Sequence, residues 1–273
     1  MKHKSKKILN QRHKTMVENV RIAQTHEANS WRESIQHVPR IKVGQLQGTM
    51  EVAIHTREAI LLINGRYMGK GPNINSLYDF AKKANIANKM SRADDPFADY
   101  LLSQIETRED EILKKLAESS ERNFQMMERV LTNQVRNVDG KYEQALSLTR
   151  TGSEKPNSME FRFSKYGSRA LYLVVQFDTL VMLIKTIMYR GILANSDGYV
   201  EIHEIWANLR SFLSLGRNYV VTNCRRSDLI MKNRTAISAI EKLVKSGFVD
   251  PTNFGAMDEL CEYFSKYKRN REH

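Results

Sequence analysis

Charge is the chemistry this chain concentrates most plainly. Lys2, Lys4, Lys6, Lys7, Arg12 and Lys14 fall within the first fourteen residues, with no acid among them. At the other end Lys266, Lys268, Arg269 and Arg271 face a single Glu272. Basic blocks of this kind engage polyanions by neutralising phosphates and releasing their counterions. The plainer alternative is a solubilising tail, and a membrane-surface arm is disfavoured because no sizeable apolar face accompanies the lysines. The 273 residues carry a formal charge of +12, from 43 Lys and Arg against 31 Asp and Glu. Without the two ends the balance is 33 against 30, so the body is nearly neutral.

Other groupings that could do chemistry are weak. Asp94, Asp95 and Asp99 could ligate a metal, but Asp95 precedes Pro96, which marks a helix start. Capping and compensation of the helix dipole explain them better. Gly69-Lys70-Gly71 lacks the spacer and the Lys-Ser/Thr ending of a phosphate loop and reads as a turn. Ser196-Asp197-Gly198 lacks the alternating carboxylates of a calcium loop. The seven histidines are scattered; His26 and His37 lie in polar surroundings, and His203 has only Glu204 beside it. Cys224 adjoins Arg225 and Arg226, which would favour its thiolate, but no histidine lies close in sequence to act as its base. A packed cysteine is the simpler reading. With Cys261 it makes two, too few for a disulfide scaffold or, unaided, a zinc site. The expectation is no enzyme, no metal and no cofactor.

Apolar residues at 41% and charged residues at 27% are ordinary for a globular protein, and the length admits one large domain or two small ones. The first 24 residues contain no apolar core of a secretory signal. The most apolar run, Ala170 to Met188, is interrupted by Gln176, Asp178 and Lys185. A membrane span needs about 20 residues with few or no charges. A cytoplasmic protein without membrane contact is expected.

The elements that must position these groups begin with a strand. In residues 48–55, Met50, Val52 and Ile54 alternate with Glu51, Ala53 and His55, the period of a half-buried strand. No second strand of that quality stands near it, and everything downstream reads as helix. A lone strand leaves its backbone groups unpaired, and the cheapest remedy is pairing with the same strand of a second copy. The resulting antiparallel ribbon fits the major groove of DNA. His55 or Thr56 then caps a helix with Glu58 in its first turn and the apolar run 59–63; Asn64-Gly65 ends it. Asn75-Ser76 caps a second helix with Leu77, Phe80, Ala81 and Ala84 inward. This is the layout of a ribbon-helix-helix module. With Met50, Val52 and Ile54 forming the dimer ribbon and core, Thr49, Glu51, Ala53 and His55 face the bases, though a one-residue slip would invert the two sets. Arg57, Arg66, Lys70, Asn75 and Ser76, with the six basic residues between Lys2 and Lys14, are the expected phosphate partners.

The rest reads as a helical body. One helix starts at Phe97 and a second amphipathic stretch runs from Phe124 to Leu146. A loop occupies 151–158, and an apolar core helix spans Tyr166–Tyr189. Residues 195–198 form a turn, and another helix covers Glu201–Leu215. A last helix, capped at Ser227-Asp228, stops at Ser246-Gly247.

The stretches GTMEVAIHTREA (48–59), DDPFADYLLSQIE (94–106), FRFSKYGSRALYLVVQFDTLV (161–181) and RTAISAIEKL (234–243) resemble proteins encoded on integrating conjugative elements and large conjugative plasmids. Within that group they resemble the AcaB-type transcriptional activators of IncC plasmids. The resemblance spans roughly 44–245 and is most specific at HTREA and DPFADYLL. It implies a homodimeric ribbon-helix-helix protein that binds double-stranded promoter DNA and activates conjugative-transfer genes. Glu51 and Ala53 depart from the polar readers expected on the strand.

The expected fold is mainly α, with a ribbon-helix-helix-like dimeric module of one strand and two helices per chain beside a larger helical body. The expected divisions are a basic arm at 1–43, the DNA-binding module at 44–92, the helical body at 93–250 and a basic tail at 251–273. The body is a candidate contact for RNA polymerase. Two rivals stay open: a relaxosome or partition accessory factor of the same fold, and an interaction scaffold whose strand pairs only with itself.

Overall fold

The computed structural model describes residues 50–66, 75–136, 157–161, 164–253 and 257–267. The most apolar run of the sequence becomes the axis of the molecule. Lys165–Tyr189 forms one helix, buried along most of its length. By length and composition it could cross a membrane, but 83% of its most apolar stretch is covered by the rest of the chain. A helix apolar on most sides can be the core of a large domain, and here four other helices cover it.

In chain order the described elements are β1 (Met50–Ile54), α1 (Arg57–Asn64), α2 (Leu77–Arg92), α3 (Pro96–Arg136), β2 (Asn157–Phe161) and the core helix α4 (Lys165–Tyr189). Then follow α5 (Asn195–Ser214), α6 (Arg226–Met231), α7 (Arg234–Lys245), a 3-10 turn (Pro251–Asn253) and α8 (Met257–Lys266). Helices α1, α2, α3 and α5 pack on α4, while α8 joins α6 and α7 to α3. The protein is mainly helical, as its periodicity implies.

One hydrophobic core runs from Ile54 to Phe264 and includes Leu62, Phe80, Phe177, Phe212 and Leu243. The described parts of 44–92, 93–250 and 251–273 all contribute to it. A smaller cluster of Phe124, Met127, Leu183 and Ile187 closes the far end of α3 against α4.

Helix starts follow the capping chemistry in the sequence. Asp95 Oδ1 accepts from the N–H groups of Phe97 (2.9 Å) and Ala98 (3.1 Å), opening α3 at Pro96. Ser76 Oγ accepts from Asp79 N–H (3.0 Å) to open α2. Thr56 does the same for α1 through Ala59 N–H (3.3 Å).

Five expectations are corrected. The strand is not alone: β2 pairs antiparallel with β1, Met50 opposite Phe161 and Ile54 opposite Asn157, where a loop and no second strand were expected. One edge of β1 is thereby satisfied within the chain, so a second copy is not needed to supply it. The helix beginning at Pro96 continues unbroken to Arg136. Residues 195–198 are not a turn but the first turn of α5. There Gly198 lies so close to α4 that an added Cβ would fall 2.2 Å from Met188 Sδ, and only glycine allows that approach without repacking. Finally, the last expected helix is two, because Lys232 adopts a left-handed conformation (φ 48°) between α6 and α7. Beyond them the expected tail contains α8, whose Phe264 ring packs 4.7 Å from that of Phe97.

Candidate nucleic-acid interface

The alternation of β1 sets its two faces. Ile54 is fully buried and Val52 half-buried against the core, whereas Glu51 and Ala53 are exposed. Register places Glu160 of β2 opposite Glu51, and Ser158 opposite Ala53. Directly opposed residues of an antiparallel pair share a face. Met50 pairs with Phe161 at the other end of the ladder.

His55 does not stand on that outer face. Its Nδ1 lies 3.1 Å from Asp178 Oδ2, and its backbone N–H donates to the same oxygen at 3.0 Å. The neighbouring Thr56 donates to Asp178 Oδ1 from both its N–H (2.7 Å) and its hydroxyl (2.6 Å). One buried carboxylate on α4 thus accepts at four points from the joint between β1 and α1. Burying a carboxylate is costly unless its lone pairs are occupied, and here they are. Asp178 was legible in the sequence only as an interruption of an apolar run. A charge inside a buried helix face was the available signal. Glu58 adds a second tie, its two oxygens 2.8 and 3.0 Å from Lys185 Nζ.

Of the expected phosphate partners, Arg57 is exposed in the first turn of α1, and Arg66 is half-buried. Ser76 is buried, its hydroxyl donating to Asp79 Oδ2 (2.5 Å) while capping α2. Asn75 lines a small pocket with Asp79, Lys83 and Arg217. The Asp79 carboxylate thus occupies the end of α2 where an anion was expected. Thr49, Lys70 and the basic residues from Lys2 to Lys14 lie outside the described residues, as do His26, His37 and Gly69-Lys70-Gly71.

The acidic cluster at 94–99 is structural. Arg226 grips Asp94 and, at 2.5 Å, Asp99, and donates to the Tyr267 carbonyl at 3.0 Å. Tyr219 donates its hydroxyl to Asp95 Oδ2 (3.1 Å), and burial raises the Asp95 carboxyl above its ordinary range. Among the described residues no group of three or more His, Cys, Asp or Glu is arranged to hold a metal. Burial pushes the Cys224 thiol up to about 12, the opposite of what its arginine neighbours would do. It is a packed residue.

A family model described as the transcriptional regulator AcaB matches residues 42–250. The match puts this helical, core-anchored β1–α1 unit among transcriptional regulators. The chain belongs to the AcaB family. Among solved structures it is similar to the crystal structure of selenomethionine-containing AcaB from uropathogenic E. coli, with 14% identity and a TM-score of 0.35. That similarity covers 81% of this chain and 98% of the other. No curated protein matches it.

Proposed function

We propose that this protein binds promoter DNA in sequence-specific fashion, as a homodimer in the cytoplasm, and activates conjugative-transfer genes. The observation that carries the reading is membership of the AcaB regulator family across residues 42–250. The sequence resemblance to activators of IncC plasmids supplies the direction of regulation and the target genes.

In this reading a two-stranded antiparallel ribbon enters the major groove, which is about 12 Å wide and admits such a ribbon. Each chain has one in β1 and β2, so the ribbon does not require a second copy. The homodimer rests on the resemblance alone, and light scattering of the full chain tests it. Glu51 and Ala53 face outward and, with Thr49, meet base edges; a glutamate accepts from cytosine N4, and an alanine packs on a thymine methyl. His55 serves by fixing the ribbon to the core. Arg57, Lys70 and the basic N-terminal residues hold phosphates, with Arg66 at the end of α1; the start of α2, at Asn75 and Ser76, is already occupied by the Asp79 carboxylate.

Reporter transcription from transfer promoters, with and without the full chain, tests the activator role. A rise in expression is expected. Binding near a transfer or partition origin with unchanged expression would assign it instead to a relaxosome or partition complex. The helical body offers a surface for RNA polymerase, and a truncated chain lacking 93–273 that still activated fully would exclude that role.

A further inference from the structure

Between Met231 and Arg234 only two residues join α6 to α7. Lys232 takes the left-handed conformation (φ 48°, ψ 38°), and Asn233 opens α7. Asn233 Oδ1 accepts from Ala236 N–H (3.1 Å), while its Nδ2 donates to Asp228 Oδ1 (2.8 Å). One side chain therefore ties the start of α7 back to α6. Asp228 Oδ2 also accepts from Arg225 N–H (2.9 Å), closing the start of α6. Beneath the turn, Leu229, Ala236, Ala239, Ile240 and Leu243 are buried in the main core. A short helix, a two-residue connection and a longer helix are fixed as a unit.

The outer face of α7 is one stripe. Arg234, Thr235, Glu241, Lys242 and Lys245 are exposed and Ser238 half-buried, at helical spacing opposite the buried set. Arg234, Lys242 and Lys245 have no ion-pair partner among the described residues. Residues 215–249 hold seven Lys and Arg against two acids, whereas α3 holds six against eight. Part of the positive charge of a nearly neutral body thus lies on and around α7, although Arg226 there is engaged by Asp94 and Asp99 and Lys232 by Asp258, and α2 carries Lys82, Lys83, Lys89 and Arg92 against Asp79. Ile237 is 40% exposed beside the stripe, and Met231 66% exposed at the turn.

From this we infer that α6 and α7 form a second contact with duplex DNA, separate from the β1–β2 ribbon. An α-helix with its side chains is about 10–12 Å across and fits the major groove. Thr235 and Ser238, small hydroxyl residues near the start of α7, face base edges. Arg234, Lys242 and Lys245 flank them and meet phosphates, with Arg225 at the start of α6. Ile237 is placed for a thymine methyl. The inference rests on the proposal that the chain binds DNA, but not on the strand's doing so.

Site-directed cleavage with the full chain tests it. Both native cysteines are buried, 1% exposed each, so an iron–EDTA tether attaches only to an introduced one. Two exposed positions take it, Thr235→Cys on α7 and Ala53→Cys on β1, and the probe is end-labelled random-sequence duplex at low salt. Strand scission from Thr235→Cys is expected. In parallel, the triple variant Arg234→Ala/Lys242→Ala/Lys245→Ala should weaken binding at least about tenfold, with its log–log salt slope shallower by about 2–3. Its thermal unfolding should be unchanged, because none of the three side chains is packed. Scission from Ala53→Cys alone, or an unchanged salt slope, overturns the inference and leaves the proposed function standing. Failure of the unmodified chain to bind any duplex overturns both. Cross-linking of Thr235→Cys between two copies, with no scission of DNA, would assign the face to a dimer and overturn the inference.

Discussion

The ribbon of β1 and β2 and the helix pair α6–α7 are opposite in charge and in anchoring. The ribbon puts Glu51 outward with Glu160 at the opposed register position, while α7 exposes Arg234, Lys242 and Lys245. In the proposed DNA complex, exposed cations neutralise phosphate and supply most of the holding energy, which an exposed glutamate on the ribbon does not. Exposed cations stand on α7 and also on α2, at Lys82, Lys89 and Arg92. The anchoring differs too. The β1–α1 joint hangs on one buried carboxylate of the core helix, Asp178, 2% exposed. The α6–α7 turn is held at the surface by Asp228 and Asn233.

The largest expected effect breaks the buried joint. Asp178→Ala leaves the His55 and Thr56 N–H groups and the Thr56 hydroxyl without their acceptor in the core. Loss of about 3–5 kcal/mol is expected from the usual cost of stranding buried partners. Urea unfolding measures it; a loss below about 1 kcal/mol would show that the joint is not held by this carboxylate. At the surface turn the stakes are smaller. Asn233→Ala removes one helix cap and the tie to Asp228, and should cost about 1–2 kcal/mol in the same experiment.

Charge sharpens the comparison further. Glu51→Lys replaces an exposed acid on β1 by a base. It should tighten non-specific DNA binding; unchanged affinity would mean that the outer face of the ribbon lies away from the backbone. The smallest effect is one of pH. The Asp228 carboxyl is held below its ordinary range by the Arg225 N–H and then by Asn233. Its contribution is present above its unfolded value near 3.9 and is lost as pH falls through the lowered folded value. The α6–α7 turn should therefore loosen only in acid, as amide exchange of Ala236 and Asn233 would show.

Much of this was legible in the sequence. Alternation gave β1, with Val52 and Ile54 inward and Glu51 and Ala53 outward but not the turn of His55 to Asp178; Pro96 after Asp95 gave the start of α3, and the apolar run gave the core helix. What stayed hidden depended on partners distant in the chain. Asn157-Ser-Met-Glu-Phe161 has only two apolar positions and follows polar residues, so it reads as a strand only once β1 lies beside it. The break between α6 and α7 falls at Lys232, which takes a conformation that local signals reserve for glycine or asparagine. Asn233 before Arg-Thr-Ala was a usable capping signal there, outweighed by the continuous helical period. Asp178 could not be assigned a role, because its four donors come from residues about 120 positions earlier.

The central claim, a promoter-specific DNA-binding regulator, is tested most directly by binding. The full chain is incubated with a fragment library from the DNA element that encodes it, at two salt concentrations and with competitor DNA. A small set of promoter fragments should survive competition at the higher salt. Uniform binding of all fragments, vanishing as salt rises, would contradict the claim and leave only a basic surface that holds any polyanion.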